Sequence, residues 1–522
     1  MSESKTEFDG EITTDPVPAG ERELVVVTGA TGYVGARLVP RLVDAGYRVR
    51  ACGRSLAKLR SRSWAKSTDF IELVKLDVFD KESLRAAFTG ASAAYYLVHS
   101  MNADKRDFSA ADREAAGNVS EIAAETGLER LIYLGGLGEN SKDLSKHLQS
   151  RAEVAKILSE GKVPVTVLRA GMILGSGSTS FEILRYLVER LPVMITPKWV
   201  STPSQPIAIR NVLHYLIESL KVPETIGRTF DIGGPEVLAY SDLMQVYASE
   251  AGLGKRWIFP VPVFTPRISS YWIHFVTPVP SFIAMPLAEG LRNPVVCQEN
   301  DIVALIPQEL LTCRAAIRIA LDRIKSHLVE SRWTDAGIIP PAEWADRGDP
   351  DWAGGSFYED TRRIKVSDTP AQVWYRLVRL GGATGWYYGN WLWRLRGIMD
   401  RILGGVGLNR GRRNDLELLP GDALDFWRVV DVSNEHYLLL IAEMKLPGKA
   451  LLEFTITNNG DGVTVVQQNA RFLPHGLLGL LYWWAVSPLH ELVFTGMLRG
   501  IASTSKLSIL EGPSRVAKLK TL

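Results

Sequence analysis

Short apolar runs separated by amphipathic stretches set the grammar of the first half of the chain. ELVVVTGA (residues 23–30) is a β-branched run that ends at glycine, and a helical pattern follows it through Ala45. YRVRACGR, IELVKLDV, SAAYYLVHS, RLIYLGGLG and VPVTVLRAG supply five further strand patterns. KESLRAAFTG and DREAAGNVSEIAAETG lie between them and read as helices. Strands that alternate with helices predict a parallel sheet covered on both faces. From Phe181 to about Leu328 the alternation loosens into helices, proline-rich turns and short strands such as QPIAI and RTFDIGG. This stretch is expected to pack irregularly against the first unit and to form one side of a pocket.

The polar, proline- and glycine-bearing stretch DAGIIPPAEWADRGDPDWAGG marks a boundary, and beyond it the pattern changes. DTRRIKV reads as a strand. Thr369, Pro370 and Gln372 then stand where a capping box and a first-turn proline open a helix. DFWRVVDV, HYLLLIAEMK, KALLEFTITN and VTVVQQNARF are strand patterns, with Asn459-Gly460-Asp461-Gly462 as a hairpin turn between the last two. A long apolar helix closes the unit. Strand, helix, antiparallel meander and final helix predict a sheet wrapped around one helix, with a concave interior.

Composition narrows the class. The 522 residues are 46% hydrophobic and 23% charged, enough apolar content to exclude pervasive disorder. The net charge of +2 gives no electrostatic reason to expect a nucleic-acid partner. Cys52, Cys297 and Cys313 have no paired spacing, which fits a reducing compartment. Residues 1–22 form a polar leader without the apolar stretch of a signal peptide, so a cytoplasmic location is expected. FLPHGLLGLLYWWAVSPL (Phe472–Leu489) is about as long as a membrane span. Its His475, Pro474 and Pro488 favour a buried amphipathic helix over a span, while Tyr482, Trp483 and Trp484 suit an interface and leave peripheral membrane contact as the alternative.

The sharpest motif is Thr28-Gly29-Ala30-Thr31-Gly32-Tyr33-Val34-Gly35, between the first strand and the first helix. Glycines there let the backbone turn tightly and approach a pyrophosphate, which sits on the outward N–H groups of the helix N-terminus. Gly29, Thr31, Gly32, Tyr33, Val34 and Gly35 are therefore expected to hold a dinucleotide. An NAD site usually has an acid at the end of the second strand. Here Cys52-Gly53-Arg54-Ser55 offers an arginine and a serine, which suits the 2′-phosphate of NADP, with NAD as the alternative. Asp77 and Val78 end the third strand pattern near the expected adenine position. Leu97, Val98 and His99 end the fourth, where ligands meet the carboxyl edge of a parallel sheet.

These residues resemble the short-chain dehydrogenase/reductase superfamily, specifically its extended and atypical branch that includes NmrA-like proteins. The likeness runs from about Leu24 to Leu328 through TGATGYVG, the LDV acid, YLVHSM, VTVLRAGMILGSGS and FDIGGP. It implies a Rossmann fold, an NAD(P) cofactor and hydride chemistry. The C-terminal unit resembles an uncharacterised helix-grip domain of the START and polyketide-cyclase kind.

Active members of that superfamily carry a Tyr-x-x-x-Lys pair for proton transfer. By spacing, His147 falls where the tyrosine belongs and Arg151 where the lysine belongs, four apart on one helix face. Gly135-Gly136 replaces the serine that usually precedes them. His99 and His147 are the candidate proton donors, since imidazole titrates near neutrality. No metal-ligand spacing is present, and no metal is expected. The expected organisation is a leader over 1–22, an NAD(P)-binding Rossmann domain with a substrate-facing region over 23–330, a linker over 331–355 and a helix-grip domain over 356–510. The function that follows is an NADP-dependent oxidoreductase acting on an apolar small molecule. The alternative is a non-catalytic NAD(P)H sensor with a C-terminal domain that binds a hydrophobic ligand.

Overall fold

The computed structural model describes residues 22–98, 108–138, 146–261, 285, 289–290, 293–325, 329–331, 358–408, 412, 414–458, 462–474, 476–502 and 508–515. The first half is a seven-stranded parallel sheet. Its strands are β1 (Leu24–Thr28), β2 (Arg48–Gly53), β3 (Ile71–Lys75), β4 (Ala93–Tyr96), β5 (Arg130–Gly136), β6 (Val165–Ala170) and β7 (Thr229–Ile232). Their spatial order is β7-β6-β5-β4-β1-β2-β3. The sheet order reverses between β1 and β4, which opens a crevice at the carboxyl edge, the place where such sheets bind ligands.

Helices α1 (Gly35–Asp44), α2 (Leu56–Arg60), α3 (Lys81–Phe88), α4 (Phe108–Glu125) and α5 (Lys146–Ser159) connect successive strands. Val25 and Val27 face a core shared with α1 and with α7 (Ile209–Lys221), while Val26 faces the core under α3, α4 and α5. The VVV run is therefore buried on both sides, and this is why it is apolar without alternation. α3 is capped by Asp80, whose carboxylate accepts from the Glu82 N–H. Helices α6 (Thr179–Arg190), α8 (Tyr240–Glu250), α9 (Asp301–Leu305) and α10 (Cys313–Lys325) belong to the looser region. α6, α8 and α10 share a core of their own, and the strands among them are short, as the proline-rich turns predict.

A clasp ties the end of this half to its beginning. Arg37 in α1 is 2% exposed, and its guanidinium donates to the carbonyls of Ser176 (2.7 Å) and Ser331 (3.2 Å). The Ser331 hydroxyl donates to the Tyr33 carbonyl (2.8 Å), and Arg41 pairs with Glu330 at 2.9 Å. Burial works against the Glu330 charge, but Arg41, Arg37 and Arg323 outweigh it and hold the carboxyl down at about 2.

The C-terminal half is an antiparallel sheet with helices. Its strands are β8 (Tyr358–Val366), β9 (Ala423–Leu424), β10 (Trp427–Ser433), β11 (Tyr437–Ala442), β12 (Gly448–Asn458), β13 (Thr464–Pro474) and β14 (Ile509–Arg515), in the order β9-β10-β11-β12-β13-β8-β14. α11 (Pro370–Leu377) opens with the capping box of Thr369 and Gln372. α12 (Asn390–Ile402) follows, and the 27-residue α13 (Gly476–Ala502) packs on β8, β13 and β14. Phe494, Met497, Leu498 and Ile501 of α13 meet Val466, Ala470 and Phe454 in the core. Asn459–Asp461 of the expected hairpin turn before β13, residues 1–21 of the leader, and nearly all of the expected linker lie outside the described residues.

Two features differ from the sequence expectation. The unit does not close at α13, because β14 pairs antiparallel with β8. β14 is an edge strand with mostly exposed side chains and Pro513 inside it, so it lacks the apolar alternation of a strand. In addition, α13 is buried on one side only. Trp483 stacks on Phe472 and Tyr358, whereas Trp484 is 67% exposed. Among the described residues, no helix is long and apolar enough to cross a membrane.

Within α13, His490 sits edge-on to Trp483 and against Phe494, with Asp360, Arg362 and Arg515 as its charged neighbours. Burial pushes its pKa down to about 4. A depressed imidazole pKa means that the unfolded chain takes up this proton first. Stability is therefore at its full value above about pH 6.5 and falls as the pH drops toward 4. His490→Phe should remove roughly 1–3 kcal/mol of that acid sensitivity. Urea unfolding at a series of pH values measures it, and identical pH slopes for both proteins would contradict the assignment.

Candidate functional site

The site is built at the junction of β1, β2 and β4. Gly29 adopts φ +75°, a left-handed conformation that favours glycine, and the chain turns there into α1. The Gly32 N–H closes on the Gly29 carbonyl (2.9 Å), and the Ala36 N–H closes on the Gly32 carbonyl (3.0 Å). Among the described residues, the N–H groups of Thr31, Tyr33 and Val34 take no backbone partner. Val34, the N-cap residue of α1, gives no side-chain cap. A set of unused donors at a helix N-terminus is an anion-binding arrangement.

Two walls flank the turn. Leu97 and Val98 follow β4, and the Leu97 N–H donates to the Thr28 hydroxyl oxygen at 3.3 Å while that hydroxyl donates to the Tyr95 carbonyl. A Cβ on Gly29 would stand 3.1 Å from the Leu97 carbonyl oxygen, so this wall presses on the turn itself. On the other side Ala30 N–H bonds the Cys52 carbonyl, and Gly53 lies against Thr31. Arg54 is exposed at the mouth of β2. Ser55 caps α2 by accepting from the Lys58 N–H.

The remaining sequence-derived residues distribute as follows. Asp77 and Val78 lie just past β3 rather than in it, and the Asp77 carboxylate accepts from the Phe79 N–H while Asp80 does the helix capping. Asp77 is exposed and Val78 buried. The Tyr33 side chain turns away from the outer face of the turn. Its ring lies under the Arg37 guanidinium at 4.5 Å, its hydroxyl is buried, and burial pushes its pKa up to about 12. Tyr33 therefore offers the site its N–H and neither a cap nor a hydroxyl. His99 lies outside the described residues. His147 is in the first turn of α5, and its side chain lies outside the described set. Arg151 is one turn further on and reaches the end of β5, where it donates to the Leu134 carbonyl (3.3 Å) and lies against Gly136.

Three features escaped the sequence reading. Asp112 of α4, 3% exposed, accepts from the Ser150 hydroxyl at 2.9 Å and so fixes α5, with His147 and Arg151, to its neighbour helix. Arg169 stands across the sheet from Gly135 and pairs with the buried Asp231 at 2.6 Å. A second guanidinium therefore stands at the same sheet edge as Arg151. Lys58 is 2% exposed and lies against Gly421 of the C-terminal half, one turn beyond Ser55. The Lys at i+4 from Arg54 was the only advance signal for any of the three. Among the described residues, no cluster of His, Cys, Asp or Glu could hold a metal ion.

Residues 29–189 match the family described as NAD(P)H-binding, and residues 352–497 match a protein of unknown function family, DUF2867. The chain is 32% identical over 122 residues to cinnamoyl-CoA reductase 1 of Oryza sativa subsp. japonica, an overlap that spans 23% of this chain and 36% of that protein. It is 22% identical over 251 residues to photosystem II assembly factor Ycf39 of Trieres chinensis, across 47% of this chain and 74% of that protein. Among solved structures, the triphenylmethane reductase of Citrobacter sp. overlaps 57% of this chain and 99% of its own, with 18% identity and a TM-score of 0.47. The N-terminal match falls on the parallel sheet with helices on both faces, a Rossmann-type fold, and is to a family described as NAD(P)H-binding.

Gly35 is the strictest position in the turn, because a Cβ there would collide with the Gly29 carbonyl oxygen and touch Ala30 at 3.0 Å. Gly35→Ala should lower thermal stability and weaken coenzyme binding together, by about 1–3 kcal/mol in stability. Differential scanning calorimetry and coenzyme titration read the two effects, and a variant with an unchanged melting temperature would contradict this geometry.

Proposed function

We propose that the protein is an NADP-dependent oxidoreductase of the atypical short-chain dehydrogenase/reductase type, with an apolar small molecule as substrate. The observation that carries this reading is the unused N–H set of Thr31, Tyr33 and Val34, held open beside a second-strand end that bears Arg54 and Ser55. The donors suit a pyrophosphate. The missing acid and the Arg54 guanidinium suit a 2′-phosphate. In this reading Asp77 and Val78 would meet the adenine and Leu97 and Val98 the nicotinamide, with His99 next to them in the chain.

A bound coenzyme would supply a hydride to a carbonyl or activated alkene. The chain's own part is to hold the substrate at the ends of β4, β5 and β6 and to deliver the balancing proton. His99 and His147 are the candidate donors, each passing a proton from imidazolium to the substrate oxygen or carbon that gains electron density. Arg151, tied to the Leu134 carbonyl, would bind ribose or substrate oxygen. Gly135 and Gly136 leave room for a ligand to approach the β5 backbone closely.

A second reading is favoured by one specific feature. The tyrosine, lysine and serine of the active superfamily pattern are replaced by His147, Arg151 and Gly135-Gly136. A relative named as an assembly factor lies among the matches. In this reading the protein senses NAD(P)H without turnover, and a helix-grip C-terminal domain takes a hydrophobic ligand. The sheet laid over α13 and the fully buried Gln468 amide, which has no partner among the described residues, support it.

Arg54→Asp should weaken NADPH by about 1–3 kcal/mol and leave NADH nearly unchanged. Calorimetric titration with both coenzymes reads this, and equal losses would return the choice to NAD. Gly32→Glu fills the space over the turn and should abolish binding of both while the melting temperature is kept. For catalysis, His99→Ala and His147→Ala are assayed separately for coenzyme-linked reduction of apolar carbonyl compounds. One of them should lose at least tenfold in kcat, as general-acid removal does. Full activity in both variants would dismiss the imidazole donor.

A further inference from the structure

α12 packs Leu392 and Trp393 against the core, yet carries a second apolar face on its outer side. Its only carboxylate, Asp400, is fully buried and accepts from the N–H groups of Gly407 (2.8 Å) and Lys445 (2.6 Å). Gly397, on the same inner side, lies against Leu408. These contacts fix the rotation of the helix about its axis. The opposite face then points outward with Trp391, Leu395, Ile398, Met399, Ile402 and Leu403, and Trp391 is 67% and Ile402 75% exposed. Their spacing of i, i+4, i+7, i+8, i+11 and i+12 makes one continuous apolar stripe along the helix.

The neighbouring α13 repeats the pattern. Leu481, Trp484, Leu489 and Leu492 are exposed along one of its faces. The two helices are joined near both ends. Gly389 lies against Val493 at one end, and at the other the loop from Lys445 to Gly448 bonds Asp400 and touches Gly479. An exposed apolar surface of this extent on a folded chain has a function or a partner.

The charges around it identify the occupant. Arg394 is exposed beside the stripe on one edge of α12, with Arg401 next to it, and Arg396 flanks the other edge. Lys445 is exposed on the connecting loop and Lys449 at the start of β12. The exposed acid on α13, Glu491, is already paired with Arg362 at 3.0 Å. A two-fold contact with a second copy of the chain would bring this basic rim against itself. Tryptophan and aliphatic residues framed by arginine and lysine instead match the boundary between acyl chains and anionic headgroups. We propose that α12, with the adjoining face of α13, docks the protein on an anionic lipid bilayer surface without crossing it.

The test uses the full chain with vesicles of phosphatidylcholine alone or mixed with phosphatidylglycerol, followed by flotation at low and high salt. The wild-type protein should float with the anionic vesicles, less so at high salt, and only weakly with phosphatidylcholine. Trp391→Asp combined with Ile402→Asp should reduce the bound fraction at least tenfold, and Arg394→Glu should reduce it for the anionic vesicles in particular. Ile226→Asp, at an exposed apolar position in the Rossmann half, should change nothing. Unchanged melting temperature and coenzyme affinity certify that each variant is folded. Failure of the wild-type protein to float with anionic vesicles overturns the proposal, as does flotation that survives the double variant. A concentration-dependent dimer that the double variant dissociates, in a protein that does not float, assigns the face to a second copy and also overturns it.

Discussion

The coenzyme turn depends on the backbone N–H groups of Thr31, Tyr33 and Val34, which take no backbone partner among the described residues. Some helix starts here find side-chain acceptors for their free donors, as α3, α6 and α11 do through Asp80, Ser178 and Thr369, while α7, α8 and α12 do not. α1 has no such cap. The cost of exposed donors is recovered only when an anion arrives, so the sheet order, the left-handed Gly29 and the missing Cβ of Gly35 all serve one geometry. The surrounding residues act by keeping the position clear. Tyr33 turns inward under Arg37, and Leu97 closes the opposite wall.

Much of this was legible in the chain. A β-branched run followed by a glycine turn and an amphipathic helix has few other solutions, and the parallel sheet followed from the regular alternation. Other residues could not be read because their meaning lies in long-range contacts. The link from Asp112 to Ser150 joins residues 38 positions apart on two helices. The Arg169–Asp231 pair joins adjacent strands 62 positions apart. Asp77 reads as the end of the third strand, yet it lies past β3, where its carboxylate accepts from the Phe79 N–H of a local turn. The pattern around His147 and Arg151 located α5, but nothing in it indicated that the guanidinium of Arg151 would reach the β5 carbonyl edge.

The C-terminal half shows a different limit of pattern reading. Periodicity gives the width of an apolar stripe on a helix and says nothing about which side faces the core. In α12 a single buried carboxylate with two backbone donors decides the matter. The aromatics of this region divide accordingly. Trp386 is buried, with its indole N–H donating to Asp425 at 2.8 Å, whereas Trp391, five residues later, faces solvent. Composition could not have separated them, since both lie in one aromatic-rich stretch.

The clasp at Ser331 bears on how the chain comes to be folded during synthesis. The Tyr33 carbonyl, inside the coenzyme turn, receives its hydrogen bond from a residue 298 positions downstream. A ribosome must therefore deliver almost the whole Rossmann half before the surroundings of the first helix are complete. Loop-closure entropy makes such a contact a late event. Until then Arg37 lacks one of its carbonyl acceptors, and the nascent coenzyme turn waits on residues that have not yet left the exit tunnel.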